Sequence, residues 1–306
     1  MLRQHSSSQA SRNFLLVAPA IVMLFLLVVI PLGIMAYVSL LARGEGSGVN
    51  WSSNISGAAY LSFFVEEDFD GSLVPNYSYL LSFLRSIAQA IFTTAICILL
   101  GVPMAMWMAG LDTKWRSLMV LVVTIPFWTS LLIRNYAWLI ILRQDGWAQE
   151  FVNAILPAEW KVSLLYNDFA VAVGLAYSFL PFMILPVFST LEKFDWRLLE
   201  AAYDLGANKW RAIRNVVLPI SMPGIVAGSL LVFIPSLGSF ITPALLGGGK
   251  TLMIGNLIYL QFTSSRNWPF GAALSIILLG LMFVCIAVLA LRQKRNAAVS
   301  GRKRAK

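Results

Sequence analysis

Cysteine, histidine and charged side chains are all scarce in this 306-residue sequence. The two cysteines, Cys97 and Cys285, lie within apolar runs, where cysteine usually acts as a small buried hydrophobic residue. The only histidine, His5, lies in a polar N-terminal stretch, so neither a histidine and cysteine metal site nor a histidine general base is expected. Charged residues make up 12% of the chain, well below the share of about a quarter in soluble domains. This composition excludes a soluble globular enzyme, a disordered chain and a disulfide scaffold.

Apolar residues, by contrast, make up 58% of the chain and are concentrated in six long runs. A run of about 20 apolar residues can cross the hydrocarbon core of a bilayer as a helix, and helices satisfy every backbone group within the protein. The sequence therefore predicts an all-α, polytopic membrane domain over residues 14–291, between an N-terminal tail, 1–13, and a basic C-terminal tail, 292–306. The predicted spans are residues 14–42, 80–110, 117–142, 168–190, 222–246 and 271–291.

The distribution of lysine and arginine predicts which side of the membrane each loop faces. Both tails, the connection between spans two and three and the connection between spans four and five together carry sixteen of these residues, whereas the other loops carry five. Cationic loops are retained in the cytoplasm, so both termini of this multi-pass protein are predicted to be cytoplasmic. The net charge of +9 then reflects topology and attraction to anionic membrane lipid, and no nucleic-acid partner is predicted.

Two segments on the predicted outer side have a distinctive pattern. Residues 147–156 repeat apolar side chains at i, i+4 and i+8, which predicts a short amphipathic helix at the outer interface. The loop of residues 43–79 is acidic and rich in aromatic residues. It is either a solvated loop with interfacial aromatic side chains or a surface that docks a partner or collects a cation.

The connection between spans four and five, residues 191–221, is longer than the other cytoplasmic connections. Its Glu-Ala-Ala run favours a helix, and Gly206 and Asn208 are plausible stop residues. A second short helix is predicted from Lys209, ending before Pro219. Two short helices with a bend between them would form a compact knob that presents side chains to a groove on a partner.

The residue pattern of this connection resembles the EAA loop in the membrane subunits of bacterial ABC importers. The resemblance implies a multi-pass protein of the bacterial inner membrane with a type I importer permease fold. It also implies a coupling helix that sits in a cleft of an ATPase subunit, present in two copies. It also implies a second homologous permease subunit and an external solute-binding protein. Val216 departs from the pattern, because isoleucine is usual there. The matching residues, which are the predicted ATPase-coupling residues, are Glu200, Ala201, Ala202, Gly206, Leu218 and Pro219.

Further stretches are similar to the polyamine (spermidine/putrescine) permease subfamily, and most similar to its B-type subunit. They are residues 126–138, residues 242–256 and the Asn-Trp-Pro at 267–269, within a resemblance that covers about 79–291. The small solute that this implies is a polyamine. A different small solute, such as sulfate, iron or an amino-acid-like compound, is the nearer alternative, and an ion-coupled carrier or a membrane enzyme is the more distant one.

The sequence predicts no nucleotide site and no cofactor in this chain. Residues 249–251 read Gly-Lys-Thr like the end of a P-loop, but Ala244 occupies the place of its first glycine, and the segment is predicted to be extracellular. We therefore expect a turn there. The chain is not expected to be an enzyme, and ATP is expected to be used by the separate ATPase subunit.

Candidate residues of the translocation pathway come from the outer parts of spans three to five. Aromatic faces suit the ammonium groups of a polyamine, and Asp168 is the one carboxylate near membrane depth. Arg134 is either a gate or partner of a carboxylate, or an interfacial anchor. The small polar residues of span five indicate either a polar wall or tight helix packing. The candidates are Trp128, Arg134, Tyr136, Trp138, Asp168, Ser236, Ser239 and Thr242.

Overall fold

A computed structural model describes residues 4–44, 48–52, 55–67, 73–155 and 163–304. Its helices are α1 (Gln4–Val38), α2 (Ala58–Leu61), α3 (Tyr77–Ala109), α4 (Thr113–Thr124), α5 (Leu131–Leu142), α6 (Trp147–Ile155), α7 (Asp168–Leu191), α8 (Arg197–Asp204), α9 (Lys209–Ala212), α10 (Leu218–Gly238), α11 (Ile241–Leu246), α12 (Ile254–Thr263) and α13 (Trp268–Arg304). A 3₁₀ helix, Ile125–Trp128, follows α4, and a π-helical turn, Ile213–Val217, joins α9 to α10. The strands β1 (Val65–Glu67) and β2 (Leu73–Pro75) form an antiparallel hairpin in which Val65 lies opposite Pro75.

Long apolar helices confirm the predicted all-α, polytopic fold. Within the described residues, five helical stretches are long and apolar enough to span a membrane, and a bent pair of helices brings the number to six. The predicted amphipathic helix at 147–156 is α6, although residue 156 lies outside the described part of the chain. The five stretches are Val17–Val38, Tyr77–Ala109, Asp168–Leu191, Lys209–Gly238 and Trp268–Val288.

The third span is not the single helix that the sequence predicts for residues 117–142. It is bent by 90° between Trp128 and Leu131. Proline at position 126 cannot donate a backbone hydrogen bond, and the chain tightens into a 3₁₀ turn around it before becoming extended at Thr129. The Thr129 hydroxyl donates to the Pro126 carbonyl at 2.9 Å, which satisfies a backbone group released by the break.

The fifth span is also interrupted, where the sequence predicts one helix over 222–246. Helix α10 ends at Gly238, Ser239 is extended with ψ of 132°, and the chain resumes as α11. The side-chain amide of Asn256 donates to the Phe240 carbonyl at 2.8 Å. This bond satisfies one backbone carbonyl in the short gap between the two helices.

The chain clusters into two compact units. The first combines Met1–Asn76 with Ile258–Leu281, and the second combines Tyr77–Leu257 with Met282–Lys306. Within the first unit, the segment after α1 is joined to the loop after α12, because the Arg43 guanidinium donates to the Ser265 carbonyl at 3.0 Å.

The core of the second unit is formed by α3, α7 and α10, which pack closely against one another. Glycines allow this approach between α7 and α10. A Cβ atom on Gly228 would lie 3.1 Å from the Met183 Cα, and one on Gly224 would lie 2.7 Å from the Pro186 carbonyl oxygen. In hydrocarbon, such close backbone contact is a main source of helix association. The outer faces of the same helices remain apolar and exposed, as at Leu99, which is 72% exposed.

Two glycine substitutions test the importance of this contact. Gly228→Ala places a methyl group against the backbone of α7 and is expected to lower stability by about 1–3 kcal/mol through overpacking. Gly280→Ala in α13 is the matched control, since nothing lies within 4 Å of a Cβ there, and it should leave stability unchanged or raise it slightly. Thermal unfolding in detergent measures both, and equal midpoints for the two variants would contradict the packing described.

Candidate functional site

The connection between α7 and α10 forms the knob that the sequence predicts, built from α8 and α9. At its start, the Asp195 carboxylate accepts hydrogen bonds from both the backbone N–H and the Nε of Arg197, each at 3.1 Å. The side-chain hydrogen bond from Arg197 holds the pKa of Asp195 below its ordinary value. The first turn of α8 is thereby attached to the residue that precedes it.

The bend between α8 and α9 depends on the backbone of Gly206, which has φ of +80°. The Gly206 N–H donates to the Tyr203 carbonyl at 2.9 Å, and the Ala207 N–H donates to the Ala202 carbonyl at 3.0 Å. These bonds close α8 in a Schellman motif, which requires a left-handed residue. The space around a Cβ at Gly206 is empty, so the requirement is conformational and not steric contact with a neighbour.

Asn208 begins α9, whereas the sequence pattern suggested that it stops a helix. Its side-chain Oδ1 accepts a hydrogen bond from the Arg211 N–H at 2.8 Å. This is the usual geometry of a helix N-cap. The bend is therefore specified from both sides, by a C-terminal glycine and an N-terminal asparagine.

The second helix of the knob does not end before Pro219, contrary to the sequence prediction. It continues through the π-helical turn, in which the Leu218 N–H donates to the Ile213 carbonyl, and runs on as α10. Pro219 lies in the first turn of α10, where its missing N–H is tolerated. The result is one helical stretch, Lys209–Gly238, that leads from the knob into the membrane core.

The base of the knob packs against the helical core of the second unit. Val217 is buried, and the side chains of Trp196, Leu199 and Leu218 are partly buried against the same cluster. The rings of Phe194 and Trp196 meet edge to face, with centroids 5.2 Å apart. This packing attaches the knob firmly to the helices that would move with it.

The outer surface of the knob exposes large apolar side chains at the bend. Leu205 is 89% exposed and Trp210 is 74% exposed. Large apolar groups exposed on a loop outside the membrane indicate a protein contact. The predicted coupling residues Glu200 and Ala201 are exposed as well. Sequence reasoning missed Leu205 and Trp210, although apolar residues on both sides of a predicted bend were the available signal.

On the outer side, Asp168 is joined to Arg85 by a bidentate ion pair. Arg85 Nη2 and Nε donate to the two carboxylate oxygens at 2.9 and 3.2 Å, and Nη1 donates to the Lys250 carbonyl at 3.1 Å. The Gln89 amide donates to the Asp168 carbonyl at 2.9 Å. This cluster links α3, α7 and the loop before α12. No local sequence pattern indicates this ion pair, because its two residues lie 83 positions apart in the chain.

Buried polar atoms without partners lie where α5, α7 and α11 meet. Asn135 and Thr242 are each 1% exposed, and within the described part of the chain Asn135 Oδ1 and Thr242 Oγ1 have no hydrogen-bond partner. A Cβ on Gly174 would lie 2.8 Å from Thr242 Cγ2 and 3.4 Å from Asn135 Oδ1, so the three residues are in close proximity. Unpaired buried polar atoms cost free energy. A rearrangement of the helices that gave these two oxygen atoms hydrogen-bond partners would recover that free energy.

Arg134 also has buried nitrogen atoms, Nε and Nη1, that find no partner among the described residues. The alternative in which it pairs with a carboxylate of this chain thus has no support within those residues. Trp128 and Tyr136 are exposed, whereas Trp138 is half-buried and contacts Tyr177 edge to face at 5.7 Å.

The small polar residues predicted in span five do not form an open polar wall in this state. The Ser236 hydroxyl is buried and donates to the Val232 carbonyl at 2.7 Å, within its own helix. Ser239 is half-buried at the break after α10. The pathway roles of these residues stay predictions.

Comparison with known proteins identifies a family and a fold. Residues 10–296 match the family described as binding-protein-dependent transport system inner membrane component. The chain is similar to the spermidine/putrescine transport system permease protein PotB of Escherichia coli (strain K12), with 42% identity over 224 residues, which are 72% of this chain and 81% of that protein. It is also similar to the corresponding protein PotC of that organism, with 34% identity over 116 residues, 38% of this chain and 44% of PotC.

A solved structure with a similar fold is a bacterial alginate ABC transporter in complex with an alginate pentasaccharide-bound periplasmic protein. The TM-score is 0.66 at 16% identity, covering 92% of this chain and 94% of the transporter chain. A likeness at this level of identity shows the fold, and the predicted ABC importer permease fold is confirmed.

Proposed function

The chain belongs to the family of binding-protein-dependent transport system inner membrane components and is a permease subunit of an ABC importer, and from this premise we propose that its solute is a polyamine such as spermidine or putrescine. It is a multi-pass protein of the inner membrane. The observation that carries the proposal is the 42% identity with PotB, named as a spermidine/putrescine permease, over 72% of this chain.

The chemistry of the pathway residues is compatible with a cationic solute if a partner supplies negative charge. The exposed rings of Trp128 and Tyr136 offer faces to ammonium groups. Asp168, however, is engaged by Arg85. We therefore propose that carboxylates for the solute come from a second, homologous permease subunit, and that an external solute-binding protein delivers the solute.

A second candidate solute is an anion such as sulfate. The observation that favours it is the Arg134 guanidinium, two of whose nitrogen atoms are buried and unpaired within the described residues. A buried cation without a partner attracts negative charge, whether from an anionic solute or from a carboxylate on another subunit. Amino-acid-like compounds and iron are further alternatives that rest only on membership of the family, and no residue described above favours them.

We propose that transport is powered by two copies of a separate ATPase subunit, which bind the knob. In this proposal the chain carries no enzymatic activity and no cofactor, and ATP is used by the partner. The exposed Leu205 and Trp210 provide an apolar surface for the ATPase, with Glu200, Ala201 and Ala202 beside it. Closure of the ATPase pair would displace the knob, and the continuous stretch Lys209–Gly238 would carry that displacement into the membrane.

Substitutions at Gly206 test the coupling role of the knob. Gly206→Val puts a β-branched residue at φ of +80°, which costs about 1–2 kcal/mol or more, so ATPase co-purification and ATP-driven uptake should both fall at least severalfold. Gly206→Asn is the matched control, because asparagine adopts this conformation readily. Unchanged co-purification and uptake in Gly206→Val would remove the knob from the coupling mechanism.

Uptake by proteoliposomes containing the complete transporter tests the cargo. Radiolabelled putrescine and spermidine should accumulate in the presence of ATP, the binding protein and the ATPase, whereas sulfate should not. Sulfate uptake without putrescine uptake would contradict the polyamine proposal, and uptake without the ATPase would contradict the transporter class.

If Asp168 contacts the solute, Asp168→Asn should raise the KM for putrescine, whereas disruption of the ion pair by Arg85→Gln should affect stability more than the KM.

A further inference from the structure

A small pocket lies in the first compact unit, on the predicted outer side of the protein, where the turn between α12 and α13 meets the segment that follows α1. It has a volume of about 300 Å³ and is lined by Gly48, Phe262, Arg266 and Trp268. The lining thus combines one cationic side chain with two aromatic rings. None of these residues is a candidate for the solute pathway or the knob.

The turn that carries Arg266 is fixed by hydrogen bonds from the segment after α1. The Gly48 N–H donates to the Arg266 carbonyl at 2.8 Å. The Arg43 guanidinium donates to the carbonyl of the preceding residue, Ser265, at 3.0 Å. Both walls of the pocket are therefore held in place relative to each other, and the position of the Arg266 backbone is determined by more than its own turn.

Arg266 has a backbone conformation that is unfavourable for a residue with a side chain. Its φ is +47°, in the left-handed region, where the Cβ atom approaches the backbone too closely. Glycine would form the same turn without that cost, so the turn by itself does not require an arginine. Residues held in such conformations are concentrated at functional sites, which directs attention to what the Arg266 side chain binds.

The Arg266 side chain is exposed and has no hydrogen-bond acceptor within the part of the chain that the structure describes. Other arginines towards the outer side are engaged: Arg85 and Arg143 each pair with an aspartate, and Arg43 donates to a carbonyl. A guanidinium matches a carboxylate in a bidentate geometry. Trp268, which is 45% exposed, offers an apolar surface beside it. The pocket is therefore suited to a carboxylate on a short apolar stem.

The position of the pocket favours a partner in water over a lipid or the solute. Arg266 and Gly48 belong to connecting segments, and Trp268 is the first residue of the candidate span Trp268–Val288. A polyamine is cationic and would be repelled by Arg266. The family is described as binding-protein-dependent, so a protein is expected to approach the permease on this side.

We propose that this pocket receives an aspartate or glutamate side chain of the external solute-binding protein. The guanidinium of Arg266 binds the carboxylate, and Trp268 packs against the methylene groups of the same side chain. This inference rests on the proposed delivery of the solute by such a protein. The pocket contributes to how tightly the binding protein docks, and it has no part in which solute that protein carries.

Docking of the purified solute-binding protein onto the assembled transporter in nanodiscs, measured by biolayer interferometry, tests the pocket. Arg266→Gln should raise the Kd at least about fivefold, because removal of one partner from a docked charge pair weakens binding. It should also reduce the dependence of the Kd on ionic strength. Lys250→Gln is the matched control: it removes another exposed cation that does not line the pocket, and it should change the Kd by less than about twofold.

Two further variants separate a lost contact from a damaged fold. Glycine adopts φ of +47° without strain, so Arg266→Gly should weaken docking as Arg266→Gln does without lowering the midpoint of thermal unfolding. Trp268→Ala should raise the Kd at least about threefold through loss of the aromatic wall, and Trp268→Phe should restore most of the affinity. In the Arg266 variants, the concentration of binding protein that half-maximally stimulates ATP hydrolysis should rise, with the maximal rate unchanged.

The outcomes distinguish this inference from the proposed function. Equal Kd values for Arg266→Gln and the unmodified transporter would overturn the pocket and leave delivery by a binding protein intact. Absence of docking on the unmodified transporter would overturn both. If Arg266→Gln instead lost a bound phosphatidylglycerol in native mass spectrometry while the Kd for the binding protein stayed the same, Arg266 would be a lipid anchor and the proposal would be wrong.

Discussion

The continuous helix from Lys209 to Gly238 is the physical link on which the account of this protein depends. It joins an exposed cytoplasmic knob to the centre of the membrane core without a flexible connection. At Gly224 and Gly228 it touches α7 so closely that no methyl group fits between them. Because packed interiors transmit strain and no free space remains between α10 and α7 at this contact, a displacement of the knob is passed on to α7. Movement of α10 must be accompanied by movement of α7.

The outer half of the second unit has a different character. Both the third and the fifth span break there, at Thr129 and Ser239, and unpaired buried polar atoms remain at Asn135 and Thr242. The ion pair between Arg85 and Asp168 fixes α3 and α7 to the loop before α12. The inner half is thus tightly packed, whereas the outer half is held by a few discrete polar contacts that can be exchanged for others. This combination allows the helices to adopt two alternative arrangements.

The sequence was informative where one local physical rule dominates. Hydropathy located the long helices, because a bilayer imposes both length and apolar composition. The Glu-Ala-Ala run followed by Gly206 predicted the bend, since few residues other than glycine adopt positive φ. The sequence did not predict features that depend on residues far away in the chain. It also did not predict features for which the same residues are compatible with two different local structures. Proline 126 is compatible with a kinked span or a broken one, and the π-helical turn allows the helix to pass Pro219 where a stop was expected. The pairing of Arg85 with Asp168 joins residues too far apart in sequence for any local pattern to reveal.

The most direct test of the account is the distance between spin labels at Arg211 in α9 and Leu231 in α10, both exposed positions. The measurement requires the assembled transporter, with Cys97 and Cys285 replaced, and double electron–electron resonance with and without ATP. If the knob and α10 move as one body, the distance distribution is narrow and the same in both states. A shift or a broadening on ATP binding would show that the connection yields at the π-helical turn, and the proposed transmission from the knob into the membrane would be contradicted.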